Sequence, residues 1–228
     1  MTVLIFDCDG VLLDSEIIAN RVVLEHLQNL LNSHGDKSLF SEQGSLREWL
    51  TDSSGQDDAG ILKQFSMFTN IPLPTDSLKQ LERNLKHALS KEVRAIKGMG
   101  ELLKSIKGMW VVASNSSLSR LRISLGRAEM LDLCRSRLFS SEMVKRPKPA
   151  PDLNLYIATK FGIPVDDCVV IEDSPTGIRS ALQAGMRVIG FTGGSHITPR
   201  HIEQLRQAGA IGIVKTADEL SQLLENTL

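Results

Sequence analysis

The sequence predicts an α/β fold, a parallel sheet with helices on both faces, interrupted near its start by a helical insertion. Three observations carry this. From Gly98 onward, short apolar runs alternate with helix-period segments, the pattern of strands joined by crossover helices. The chain also opens on an apolar run, Val3-Leu4-Ile5-Phe6, rich in the residue types of a buried parallel strand. Between that first run and the others lies a stretch, residues 16–92, that reads as helical or polar throughout. The expected division is a sheet-bearing core of 1–15 and 93–228, with 16–92 as an inserted helical cap.

Taken in order, residues 16–31 place Ile17, Ile18, Val22, Val23, Leu27, Leu30 and Leu31 at helical spacing, with Asp14 and Ser15 as capping candidates. The segment 32–58 is polar and rich in Ser, Gly and Asp, and Leu46, Trp49 and Leu50 predict one short helix within it. Further helices are expected over 59–69 and 77–93, separated by Pro72 and Pro74, which cannot continue a helix interior. Strands follow at 110–113, 168–171, 188–191 and 211–214, with helices near 117–128, 152–162, 175–185 and 199–207. Gly177 and Gly185 read as a close-packing position and a helix end. The chain carries no internal repeat and no low-complexity tract.

The 228 residues suffice for a sizeable core, and 42% hydrophobic with 23% charged residues is ordinary for a soluble globular protein. A net charge of -1 supplies no field for nucleic acid or an anionic membrane. Cys8, Cys134 and Cys168 are too few and too scattered for a disulfide framework or a zinc site, and no C-x-x-C pair occurs. Met1 runs straight into the first strand without a leader-like segment, and no apolar run approaches the ~18 residues of a membrane span. The expectation is a cytoplasmic protein.

Ligands of an open parallel sheet collect at the carboxyl ends of its strands. Asp7 and Asp9 follow the first strand, Ser114-Asn115-Ser116-Ser117 the second, and Glu172-Asp173-Ser174 a later one. A basic segment, from Lys145 and Arg146 to Lys148, precedes the helix near 152. Two acids ending a buried strand need something to neutralise them, and a divalent cation is the natural answer. Acids, a hydroxyl and a lysine at one rim make a magnesium site able to hold a phosphoryl group. Singly, each has a blander reading: a turn for the acid pair, a helix cap for Ser114, a solvated loop for the basic residues, and a hydrogen-bonding role for Glu172.

Together these segments resemble the four signature motifs of the haloacid dehalogenase-like superfamily, specifically its phosphatases with a small helical cap after the first motif. FDCDGVLLDSE resembles the first motif, VVASNSS the second, Lys148 of KPAPD the third and VIEDSPTGIRSALQAGM the fourth. The resemblance implies a Rossmann-like sheet and an aspartyl-phosphate mechanism. Asp7 would be the nucleophile and Asp9 the group that protonates the leaving oxygen and then deprotonates water. Mg2+ would be held by Asp7, the Asp9 carbonyl and Asp173, with Glu172 binding directly or through water. Ser114 would donate to a phosphoryl oxygen, and Lys148 would neutralise the phosphate and orient Asp7. Asn115 either contacts phosphate through its backbone N–H or caps the following helix.

Asp9 separates the chain from dehalogenases and phosphonate-cleaving relatives, which lack an acid at this place. The remaining competitor is a sugar phosphomutase of the β-phosphoglucomutase kind. Such mutases carry a histidine in the first cap helix about ten residues after the acid/base aspartate. That position here is Ala19, and the nearest histidine is His26, which favours a phosphatase. A catalytically silent phosphate-binding protein is the non-enzymatic alternative, disfavoured because competent residues fill the motifs. For the substrate, Arg47 and Trp49, with Glu48 and Lys63, are the cap residues most able to face a sugar, weighed against surface or packing roles. The loop Gly193-Gly194-Ser195-His196-Ile197 resembles a segment of phosphatases acting on 6-phosphogluconate-like compounds. His196 in it reads as a solvent-exposed loop residue rather than a cap or substrate contact. The implied partner is a small phosphorylated sugar or sugar acid, and the protein is expected to be a monomer or dimer.

Overall fold

A computed structural model describes residues 2–34, 45–52 and 57–227. The sheet strands are β1 (Val3–Phe6), β2 (Met109–Ser114), β3 (Leu138–Ser140), β4 (Cys168–Glu172), β5 (Arg187–Phe191) and β6 (Gly212–Val214). They run in the order β3-β2-β1-β4-β5-β6, every pair parallel. β1 therefore lies between β2 and β4, where the order of connection reverses, and the crevice at such a point is where open α/β sheets bind ligands. Successive side chains alternate faces. Leu4 and Phe6 enter one buried cluster with Val112, Ile171 and Phe191, while Val3 and Ile5 enter the other with Val111, Val170 and Val188. With both faces covered, the strands read as continuous apolar runs.

Helices α1 (Glu16–His34), α2 (Leu46–Asp52), α3 (Asp58–Thr69) and α4 (Ser77–Glu92) form the insertion, and their apolar faces extend the cluster of Leu4 and Phe6. The chain leaves and re-enters the sheet region at one place. The Asp14 N–H donates to Arg94 O, the Ile96 N–H donates to Leu12 O, and Leu13 bridges Ala95. The remaining helices are α5 (Met99–Ser105), α6 (Leu118–Arg127), α7 (Leu131–Cys134), α8 (Asp152–Phe161), α9 (Pro175–Gln183), α10 (Pro199–Ala208) and α11 (Ala217–Thr227). α8, α9 and α10 cover one face through Leu153, Ile157, Ile178 and Leu205. α5, α6 and α11 help to cover the other through Leu103, Leu121 and Leu220.

Predicted elements are present within a few residues of their expected places, but much of the polar stretch around 32–58 falls outside the described residues. β3, α5, α7 and α11 escaped the sequence reading. At three and four residues β3 and α7 are too short for either period to register, and β3 is an edge strand paired only through Val112, Ala113 and Ser114. Among the described residues no helix is long and apolar enough to cross a membrane.

Candidate active site

β1 ends at Phe6, and the chain turns at once so that Asp7 and Asp9 stand beyond the sheet edge. The Asp7 N–H still continues the ladder, donating to Ile171 O of β4 at 2.9 Å. Gly10 completes the turn with φ +79, a conformation that side chains resist, and a Cβ there would fall 1.8 Å from Asp173 Oδ2. The glycine after the two acids therefore lets the β1 turn lie against the β4 acid. Gly177 does the same on the next helix, where a Cβ would meet the Glu172 carboxylate at 1.9 Å. Its expected close packing is thus packing against a site residue, and Gly185 ends α9 in the left-handed region (φ +77).

Lys148 joins the strands. Its Nζ donates to Asp7 Oδ1 at 2.7 Å, to Glu172 Oε1 at 2.5 Å and to Ala113 O at 2.8 Å, using all three ammonium protons. Asn115 holds the Lys148 backbone from both sides: its Oδ1 accepts from Lys148 N–H at 2.9 Å and its Nδ2 donates to Lys148 O at 3.1 Å. That side chain does not cap α6, since Ser117 does the capping by accepting from Arg120 N–H, and Asn115 lines the cavity over the site, which leaves its backbone N–H as the candidate phosphate contact. Of the neighbouring cations, Arg146 is an exposed partner of Asp152, as expected for a surface charge.

Asp9 is held differently. Oδ1 accepts from Ser15 Oγ at 2.6 Å, and Oδ2 from Ser116 Oγ at 2.8 Å and Ser114 Oγ at 3.2 Å. Ser15 was expected as a helix cap. Its carbonyl does begin α1, accepting from Ile18 and Ala19, but its hydroxyl is committed to Asp9. The other capping candidate, Asp14, instead accepts from the N–H and Oγ of Ser195 at 2.8 and 2.9 Å.

Asp7, Glu172 and Asp173 each present an oxygen, and these lie within 4.8 Å of one another. With Asp9 they make four buried carboxylates at the strand ends, two of them, Asp7 and Glu172, on the Lys148 ammonium. Burial pushes the Asp7 carboxyl well above the usual carboxylate range; Lys148 opposes this, and Glu172, Asp173 and Asp9 add to it. Burial likewise raises Glu172 against the pull of Lys148. Burial works against the Lys148 ammonium too, but the contacts with Asp7 and Glu172 outweigh it and raise the amine. An excess of desolvated hard oxygen donors is the donor set of Mg2+, and the residues present fit that ion.

Over these groups lies a cavity of about 360 Å3, walled on the core side by the acids, Ser114 and Lys148 and on the helical side by Glu16, Ala19, Asn20, Asp58 and Glu82. Arg120, buried on α6, links the two sides with a 2.9 Å ion pair to Asp58 at the start of α3. Glu16 is pushed up to about 7, by burial first and then by Asp173 and Asp9, against His196 and Arg120. Ala19 sits in the cavity wall, and His26 is turned toward α4 among the inserted helices, 2.8 Å from Ser77 Oγ.

Three expectations change. Trp49 packs its ring against Phe65 and Phe68 and does not line the cavity. Arg47 and Glu48 are exposed on α2 and also stand off the lining, and Lys63 borders a separate outer groove with Met67 and Phe68. The helix period turns Leu46 and Leu50 inward, and Leu50 reaches the cavity. His196 is not a solvent-exposed loop residue: its side chain is 7% exposed and lies 3.0 Å from Asp173 Oδ2. The site roles of Ser15, Ser116, Arg120 and His196 were missed by motif reading. Ser15 and Ser116 lie inside the first and second motif strings and His196 in the singled-out 193–197 loop, whereas Arg120 carried no signal.

Fold and site together define a class, an α/β enzyme whose strand-end carboxylates and buried lysine face a helical insertion. Residues 1–185 match the haloacid dehalogenase-like hydrolases, and the chain belongs to that family. It is 28% identical over 195 residues to the 6-phosphogluconate phosphatase of Escherichia coli, covering 85% of this chain and 84% of that protein. Hexitol phosphatase A of the same organism is 29% identical over 206 residues, covering 86% and 85%. Among solved structures, a conserved haloacid dehalogenase-like protein of unknown function from Agrobacterium tumefaciens matches with a TM-score of 0.79 at 34% identity, over 100% of this chain and 99% of that one.

Proposed function

We propose that this phosphatase of the haloacid dehalogenase-like family hydrolyses a small phosphorylated carbohydrate through a phosphoryl group carried on Asp7, with residues 16–92 serving as a cap domain over a core of 1–15 and 93–228. The observation that carries the reading is the division of labour between two adjacent acids. Asp7 contacts an ammonium at 2.7 Å, whereas Asp9 contacts only hydroxyls. An oxygen of Asp7 attacks phosphorus as the bond to the ester oxygen breaks, and that oxygen takes a proton from Asp9. Asp9 then takes a proton from the water that attacks the same phosphorus, returning Asp7 and inorganic phosphate. Ser114 and Ser116, which now bond to Asp9, are placed to release it and donate to a phosphoryl oxygen instead. Lys148 spreads positive charge over Asp7 and the arriving phosphate. Asp7, Glu172, Asp173 and the Asp9 carbonyl would hold Mg2+, which supplies charge neutralisation for a dianion approaching an anionic nucleophile.

Carbohydrate specificity is supported by the substrates in the relatives' names and by a wall of hydrogen-bonding groups, Glu16, Asn20, Asp58 and Glu82, opposite the acids. Ala19 leaves the wall without the mutase histidine, which supports hydrolysis over phosphoryl return. The test is a phosphate-release screen with Mg2+ over hexose 6-phosphates, hexitol phosphates, 6-phosphogluconate and phosphoglycolate, with β-glucose 1-phosphate included. Free phosphate from β-glucose 1-phosphate fits a hydrolase; glucose 6-phosphate as the main product would make it a mutase. Full turnover by Asp7→Asn would remove the covalent step.

A further inference from the structure

The carboxylate of Asp173 and its backbone are each held by a histidine from one short segment after β5. His196 Nε2 lies 3.0 Å from Asp173 Oδ2, and His201 Nε2 donates to Asp173 O at 2.6 Å. Both side chains are buried, and the two rings meet edge to face with centroids 5.4 Å apart. His201 is fixed as the third residue of α10, whose cap Thr198 accepts from its N–H. His196 lies in the loop before that helix, where a histidine would ordinarily turn to water. Here the loop is tied down one residue earlier, because Ser195 donates twice to Asp14 at the exit from the β1 turn. The imidazole fills the space left by two glycines: a Cβ on Gly194 would stand 2.7 Å from the ring, and one on Gly10 would stand 3.0 Å from it.

The fit has a cost. His196 Nδ1 is buried without a partner among the described residues, and such atoms are uncommon in folded proteins. Turning the ring to serve Nδ1 would break the contact of Nε2 with Asp173, so the packing favours the carboxylate over full satisfaction of the ring. Partners that hold a metal-binding carboxylate in one orientation control metal affinity, because otherwise the carboxylate must be ordered when the ion binds.

We propose that His196 is a positioning residue that presents the Asp173 carboxylate to the divalent cation, with the Asp14–Ser195 tether holding it in place and His201 anchoring the Asp173 backbone. This rests on the reading of Asp173 as a metal ligand and goes beyond the motif residues, none of which lies in the 193–201 segment.

The experiment is a calorimetric titration of the intact protein with Mg2+, comparing wild type with His196→Leu and His196→Gln. Leucine fills the space without a donor, whereas glutamine can still donate from nearly the same place. The expected result is a roughly 10- to 100-fold rise in Kd for His196→Leu, with His196→Gln recovering most of it. Asp14→Ala, which only unties the loop, is expected to weaken binding several-fold, and it decides the matter if His196→Leu does not fold. A Kd for His196→Leu within about twofold of wild type overturns the proposal, as does an equal loss in the Leu and Gln variants, since packing alone would then account for the residue. With His196→Leu unfolded, an Asp14→Ala affinity equal to wild type overturns it as well. If wild type binds Mg2+ but releases phosphate from no ester, the proposed function fails while the affinity ratios still decide the role of His196.

Discussion

The two walls of the cavity are built on different terms. On the sheet side several charged groups are held by multiple partners: Lys148 spends three protons on three acceptors, Asp9 accepts from three hydroxyls, and Asp173 is held at carboxylate and carbonyl. On the helical side the groups are tied more locally. Glu82 pairs with Lys86 of its own helix and accepts from Ser117 of the core, and Arg120 of the core pairs with Asp58. Rigid strand ends suit groups that must meet a reacting phosphorus within a fraction of an ångström. A helical wall held to the core by a part-buried ion pair and a hydroxyl contact suits a surface that must admit and release a substrate.

Substitutions at the strand ends should break this contrast most strongly. Asp7→Asn removes the proposed nucleophile and should lower kcat by at least about 10^4-fold while leaving the fold intact, read by steady-state kinetics beside circular dichroism. Lys148→Met leaves Asp7 and Glu172 buried against each other. In metal-free buffer it should lose about 3–5 kcal/mol of unfolding free energy in urea. Saturating Mg2+ should return part of that, and a variant as stable as wild type without metal would mean that the carboxylates are neutral when paired with the lysine.

A smaller effect sits where the walls meet, at Glu16. Its carboxyl titrates near 7 in the folded protein against an ordinary 4.5, so between those values the folded state holds more protons than the unfolded one. Stability should therefore fall as pH rises through that window, with the cost absent below it and complete above it. Glu16→Gln should abolish this slope and, in metal-free buffer near pH 8, gain on the order of 2 kcal/mol over wild type once partial solvent screening is allowed for. Thermal melts across pH would check it, and parallel slopes in the two proteins would refute the assignment. The smallest effect is expected at Arg47→Ala on the exposed side of α2, with kcat/KM within about twofold and stability within about 0.5 kcal/mol of wild type. A tenfold loss there would put the substrate in contact with the outer cap after all.

The legible parts of the molecule were those whose signal is local. An apolar run, a helix period and an acid just past a strand all lie within a few residues of one another, so β1, β4, Asp7, Asp9, Glu172 and Asp173 could be read directly. Lys148 needed the motif around it, since nothing in a basic loop says which cation turns inward. Trp49 and Arg47 had packing and surface readings beside the sugar-facing one, because a side chain's chemistry says what it can bind, whereas the turn of its helix decides what it faces. His196 misled for the opposite reason: loop histidines are usually wet, and only the convergence of Gly10, Gly194 and Asp14 from distant parts of the chain buries this one.

The order of residues along the chain was enough to specify a parallel sheet, its helical insertion and a carboxylate-rich strand end with a phosphoryl-transfer pattern. Tertiary structure alone decided which neighbours those carboxylates have. Lys148 reaches Asp7 across 141 positions, Ser116 reaches Asp9 across 107 and Ser195 reaches Asp14 across 181. Contacts of such separation leave no periodic trace in sequence, because they are selected by how the sheet edge closes rather than by any local preference of the backbone.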